Sequence, residues 1–97
     1  MDQNEDATLP SGFALHPAYP NPFNPSTTIR FDFPEEGFIT MSVYDITGKL
    51  VETLVNEILS TGNHSIQWNP QNLASGLYIV QLKAGQKTFN QIITFIK

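Results

Sequence analysis

Few side chains of this sequence have the types and spacing that catalysis or metal binding requires. The two histidines, His16 and His64, do not form the i, i+2 or i, i+4 pair that is typical of a transition-metal site. Ser75 has no neighbouring motif that would activate it as a nucleophile. Glu35 and Glu36 are adjacent, so in an extended chain their carboxylates point to opposite faces and cannot share acid–base work. We therefore expect no catalytic residue, no metal or cofactor site and no enzymatic activity.

The sequence predicts that the chain is built of β-strands. Apolar and polar residues alternate with a period of two in Ile29 to Phe33 and in Ile39 to Val43, and turn residues separate the two runs. Further strand-like runs cover residues 50–55, 64–68, 78–82 and 89–96. The nearest approach to a helical pattern, residues 51–59, is rich in β-branched residues and lacks a good cap. The predicted fold class is all-β, an immunoglobulin-like antiparallel β-sandwich of about seven strands.

The composition narrows the classes of protein and partner. The chain has 97 residues, of which 40% are hydrophobic and 14% charged, as expected for one small folded domain. Residues 1–57 hold all nine carboxylates and two cations, whereas residues 58–97 hold three lysines and no carboxylate. Neither part has the cationic footprint of nucleic-acid binding. No apolar run approaches the ~20 residues of a membrane span, and the absence of cysteine excludes disulfides.

The start of the chain differs in character from the rest. Residues 1–14 are predicted to be a linker or an added leader, and residues 15–97 are predicted to form the folded domain. The first six residues are acidic instead of basic and apolar, so they do not read as a signal peptide. If the protein is exported, we expect this sequence to be a piece of a longer chain.

Three aromatic and heteroaromatic residues have predicted places in the sandwich. Tyr78 follows a polar turn at the start of the sixth strand, where immunoglobulin-like domains place a tyrosine whose hydroxyl bonds back across the turn. The alternative is that Tyr78 is simply a large, half-buried side chain. Trp68 is expected to fill the core. His64 alternates in phase with Ile66 and Trp68, so we expect it to pack at the rim of the core.

The most unusual stretch is residues 19–25, YPNPFNP, which we call the proline segment. Proline lacks a backbone N–H, so this segment can lie along a sheet edge but cannot form a central strand. One interpretation is a guard that prevents strand-to-strand aggregation. The other is a surface that a partner recognises. The residues alone do not decide between them.

The order and spacing of several motifs carry a resemblance to a known family. The motifs are YPNPFNP at 19–25, VYD at 43–45 with Gly48, GNH at 62–64 with Trp68, LASGLY at 73–78, and Lys97. Residues 15–97 resemble the type A C-terminal sorting domains of the type IX (Por) secretion system.

This resemblance implies an immunoglobulin-like domain that acts as a non-catalytic signal behind a larger cargo. The outer-membrane translocon of certain Gram-negative bacteria recognises such domains, and a sortase-like surface protease commonly removes them. The cargo thereby reaches the medium or the cell surface after passing through the periplasm, often attached to lipopolysaccharide. The recognition residues that the resemblance implies are Pro20, Asn21, Pro22, Phe23, Gly48, Gly76, Tyr78, Ile92, Phe95, Ile96 and Lys97.

The last strand is the expected point of recognition. Residues 87–97 are predicted to pair at an edge of the sandwich, where a receptor reads them by strand addition or by gripping the exposed chain end. Removal of Phe95 to Lys97 is then expected to abolish export while leaving most of the fold intact.

Two other functional classes stay open at this stage, because fold does not settle function. A carbohydrate-binding or adhesive module would need exposed, coplanar aromatic rings, and the candidates are Tyr19, Phe23, Phe38 and Tyr44 on an outer face. A structural assembly domain would use the sandwich as a spacer. The edge strands also allow pairing with a second copy of the chain.

Overall fold

The computed structural model describes residues 12–97, which form two antiparallel sheets packed as a sandwich. The strands are β1 Ala14–Leu15, β2 Thr27–Phe33, β3 Gly37–Asp45, β4 Leu50–Leu59, β5 Gly62–Trp68, β6 Gly76–Ala84 and β7 Lys87–Phe95. One sheet has the order β1-β2-β5 and the other the order β4-β3-β6-β7. The described residues contain no helix. The predicted all-β sandwich of seven strands is confirmed.

Strict alternation of side chains builds the core between the two sheets. In β6, Tyr78, Val80 and Leu82 are buried, whereas the residues between them face outward. Ile29 and Phe31 of β2 face them from the other sheet and are fully buried. Each side chain of this size contributes roughly 1.5–3 kcal/mol by leaving water.

The strand β4 is longer than the pattern predicted, since it continues from Val55 to Leu59. Its alternation is uneven because the register against β3 shifts twice, between Met41 and Ser42 and between Val43 and Tyr44. Each irregularity changes the face to which the following side chains point. A strict period of two therefore could not appear in this part of the sequence.

The predicted places of the aromatic residues are confirmed. Trp68 is buried, and Tyr78 is also buried, with its hydroxyl donating a 2.6 Å hydrogen bond to the Ala74 carbonyl across the turn before β6. His64 is half-buried and stacks on Phe31, with the ring centroids 5.3 Å apart.

Between β1 and β2, which belong to the same sheet, the chain crosses to the edge of the other sheet and returns. Tyr19 still pairs with Thr28 of β2 through two backbone hydrogen bonds of 3.0 and 2.9 Å. Four residues later, Phe23 forms a parallel bridge to Phe95 of β7. The proline segment thus crosses from the three-stranded to the four-stranded sheet and, as predicted, lies along a sheet edge.

The contacts of the sandwich begin before residue 15. The ring of Phe13 lies 4.6 Å from that of Phe33, and Ala14 pairs with Asp32. Two residues of the predicted linker therefore already belong to the packed structure. Residues 1–11 of that linker lie outside the described residues.

Candidate functional site

The proline segment covers the outer edge of β7. The Phe23 N–H donates to the Thr94 carbonyl at 2.9 Å, and the Ile96 N–H donates to the Phe23 carbonyl at 3.0 Å. In a sandwich of open sheets, this edge of β7 would otherwise present unpaired backbone groups. The segment therefore acts as a short parallel strand against the end of β7.

Asn21 completes this pairing with its side chain. Its Oδ1 accepts from the Thr94 N–H at 2.9 Å, and its Nδ2 donates to the Ile92 carbonyl at 3.3 Å. Pro20 and Pro22, on either side, have no N–H to offer the strand. The amide of Asn21 thus supplies the donor that the proline backbone lacks, together with a further acceptor.

Gln91 joins β7 to the residues before the proline segment. Its Nε2 donates to the His16 carbonyl at 2.8 Å, and its Oε1 accepts from the Ala18 N–H at 2.9 Å. Sequence reasoning missed this role, because nothing in an isolated glutamine of a strand indicates a partner more than seventy residues away. Together, the side chains of Asn21 and Gln91 join residues 16–21 to the last strand by hydrogen bonds.

Phe23 points into the core instead of outward. It is 2% exposed, and its ring centroid lies 5.7 Å from that of Trp68 and 5.2 Å from that of Phe95. The prediction that the Phe23 ring is exposed on an outer face is therefore wrong. The side chain of Phe23 points into the space between the sheets because the chain crosses to the edge of β7 at this residue.

The end of β7 combines buried and exposed residues. Phe95 is 6% exposed, but Ile96 is 49% exposed and Lys97 is also exposed. The Lys97 N–H donates to Ser75 Oγ at 2.8 Å. Removal of Phe95 to Lys97 would delete a core aromatic ring together with the exposed chain end, so this truncation changes packing and recognition at once.

Gly76 and Tyr78 lie on the other side of the same strand end. In the register of β6 and β7, Gly76 pairs with Phe95 and Tyr78 with Ile93. With the proline segment on the opposite edge, the end of β7 has a strand on both sides. We call the group formed by residues 20–23, Gly76, Tyr78 and residues 92–97 the terminal site.

Gly48 belongs to the turn between β3 and β4 at this end of the sheet. Its φ of +90° is a conformation that favours glycine. One oxygen of the Asp45 carboxylate accepts from the Thr47 hydroxyl at 2.6 Å and from the N–H groups of Thr47 and Lys49. These hydrogen bonds, above all that from the Thr47 hydroxyl, lower the pKa of Asp45 below its usual value.

The aromatic residues Tyr19, Phe38 and Tyr44 do not form a platform for a sugar ring. Tyr19 pairs with β2, whereas Phe38 and Tyr44 lie on β3 of the other sheet. Phe38 and Tyr44 are six positions apart on one strand, which places them roughly 20 Å apart. No observation on the described residues therefore favours the carbohydrate-binding alternative.

A family model described as a secretion system C-terminal sorting domain matches residues 17–96. The chain belongs to this family. Membership implies that the sorting domain works with the type IX secretion machinery and is attached to a cargo chain. It also implies export across the outer membrane to the cell surface or the extracellular space. Neither the curated proteins nor the solved structures that were compared with the sorting domain gave a match.

Two further observations concern membranes and metals. Among residues 12–97, no helix is long and apolar enough to cross a membrane. In the same residues, no three His, Cys, Asp or Glu side chains come together in a group that would hold a metal ion.

Proposed function

We propose that the sorting domain is a non-catalytic export signal for a larger cargo in the same chain. It directs the cargo from the periplasm through the outer-membrane translocon of the type IX system. A sortase-like surface protease then removes it or uses it to anchor the cargo. The family match supports this function, and the geometry of the terminal site is the observation that carries the mechanism.

The terminal site unites two motifs that stand at opposite ends of the domain sequence. Asn21 and Phe23 make four hydrogen bonds to β7 between Ile92 and Ile96. A receptor that contacts this place meets both motifs at once. It therefore contacts a folded domain whose first and last segments are both in position.

The pairing of the proline segment with the edge of β7 favours recognition of the exposed chain end over recognition by strand addition. Strand addition at residues 92–96 would require the proline segment to leave, because its hydrogen bonds use the same backbone groups. The side chains of Ile96 and Lys97 are already exposed. We therefore propose that the receptor grips these two side chains on the intact fold.

The test compares reporter proteins fused to residues 1–97 in a host with a working type IX system. The test variant carries Ile96→Ser and Lys97→Ala, which leave the core ring of Phe95 and the backbone hydrogen bonds in place. The matched control carries Ile58→Ser and Lys87→Ala, the same two changes at exposed positions away from the terminal site.

The wild-type fusion and the control are expected in the medium or on the cell surface, and the test variant is expected to stay in the periplasm. Retention of the wild-type fusion would overturn the export function itself. Export of the test variant at the level of the control would overturn the proposed grip and leave the export function standing.

A further inference from the structure

The two outer faces of the sandwich differ in chemistry. On the three-stranded sheet, Arg30 pairs with Ser65 and Asp32 with Asn63, so polar and charged side chains alternate with the core residues. This is the ordinary face that a sheet shows to water. The outer face of the four-stranded sheet has no comparable cover of charge.

A row of apolar side chains crosses all four strands of that second face. The register places Leu50 of β4 beside Tyr44 of β3, Tyr44 beside Ile79 of β6, and Ile79 beside Ile92 of β7. The two ends of the row, Leu50 and Ile92, are 52% and 60% exposed. With strands about 4.8 Å apart, the row is roughly 14 Å long. We call it the apolar row.

A shallow depression lies along the apolar row. Its volume is about 550 Å³, and its lining consists of Tyr44, Gly48, Ile79, Gln81, Asn90 and Ile92. None of these side chains is charged. A contiguous apolar patch with a polar rim is typical of a surface that meets another protein.

The β6 and β7 side of this outer face bears a positive charge. Lys83 lies on it, two strand positions beyond Gln81, and is exposed. Residues 58–97, which include β6 and β7, contain no carboxylate. A partner that complements this surface is apolar at its centre and bears carboxylates at its rim.

We propose that the apolar row docks a folded protein of the export machinery whose contact surface is apolar and rimmed by carboxylates. This inference rests on the proposed function, because Ile92 belongs both to the apolar row and to the terminal site. The row thus extends the contact of a receptor from the end of β7 across the face of the sheet.

The size of the apolar row argues against a second copy of the chain as the occupant. A row roughly 14 Å long and one or two side-chain rows wide covers on the order of 200 Å². A stable dimer buries about 800 Å² on each partner. Two copies would also bring their lysines toward the same interface. An area of this size fits a secondary contact with a transiently bound receptor, whose main contact is the terminal site.

The export assay with the reporter fused to residues 1–97 tests this docking surface. The row variant carries Leu50→Ser and Ile92→Ser, at the two exposed ends of the row. The matched control carries Phe38→Ser and Ile58→Ser, an exposed apolar pair on neighbouring strands of the same sheet. Thermal unfolding of both isolated variants shows whether each remains folded.

We expect export of the row variant to fall about tenfold or more relative to wild type, and the control to stay within about twofold. Lys83→Glu is expected to lower export as well, because it repels a carboxylate-bearing rim. If wild type is exported and both folded double variants match it, the docking surface is overturned while the export function stands. If wild type itself is retained, the export function fails.

Sedimentation of the isolated domain decides between the receptor and a second copy. A monomer at all concentrations up to about 100 μM agrees with the proposal, since a surface of this size gives no stable dimer. A dimer that dissociates on Leu50→Ser and Ile92→Ser would make a second copy the occupant and would overturn the receptor proposal.

Discussion

Replacing Phe23 by alanine is expected to be the most damaging single change in the proline segment. The side chain is 2% exposed and contacts the rings of Trp68 and Phe95. Truncation of a buried phenylalanine costs about 3–5 kcal/mol, because it removes apolar contacts and leaves a cavity. A domain of this size has a free energy of unfolding of only about 5–10 kcal/mol. We therefore expect Phe23→Ala to remove about half of the stability.

Equilibrium unfolding in urea measures this loss directly. Tyr19→Ala is the matched control, because Tyr19 is an aromatic residue of the same segment that is 75% exposed, and it is expected to change the stability by less than about 0.5 kcal/mol. Phe23→Leu, which keeps most of the volume, is expected to cost about 1.5 kcal/mol. If Phe23→Ala were no more harmful than Tyr19→Ala, the proline segment would not be anchored in the core.

Three further changes test the turns near the terminal site. Tyr78→Phe removes the hydrogen bond to the Ala74 carbonyl and is expected to lower the free energy of unfolding by about 0.5–1.5 kcal/mol in urea titrations. Gly48→Ala is expected to cost about 1–2 kcal/mol in the same assay, because φ is +90° while no neighbouring atom obstructs a Cβ. The lowered pKa of Asp45 means that its carboxylate stabilises the fold above pH ~4 and loses this effect as the pH falls through the folded-state pKa. The stability difference between wild type and Asp45→Asn, followed by thermal unfolding, should therefore shrink below that pH.

The sequence predicts the strands well because their period of two is a local property. Val80 and Leu82 in β6 alternate with polar or exposed neighbours, so the inward face can be read directly. Even the corner hydrogen bond of Tyr78 could be predicted, since its acceptor, Ala74, lies only four residues away.

The terminal site could be predicted only in part, because its contacts join distant parts of the chain. The resemblance named the proline segment and the last strand, but no local pattern shows that Phe23 is buried against Phe95. The hydrogen bonds of Gln91 to residues 16 and 18 likewise depend on where the chain changes sheets. Such pairings follow from topology, and alternation carries no information about them.

The opposite edge of the same sheet is β4, and its charges oppose one mode of pairing with a second copy. A symmetric antiparallel pair centred between Leu54 and Val55 places Glu52 of one copy opposite Glu57 of the other. Like charges directly opposite each other destabilise a strand pair. The two edges of this sheet therefore differ, because hydrogen bonds close the edge at β7, whereas like charges oppose this one strand pairing at β4.

This difference bears on how a receptor can read β7. Strand addition must first release the four hydrogen bonds of Asn21 and Phe23, a cost of roughly 2–6 kcal/mol before any new pairing forms. A grip on the exposed side chains of Ile96 and Lys97 avoids that cost. Loosening the contact between the proline segment and β7 by Asn21→Ala would therefore strengthen recognition by strand addition, but it would not strengthen recognition through the side chains of Ile96 and Lys97. The direction of that single effect separates the two modes of reading.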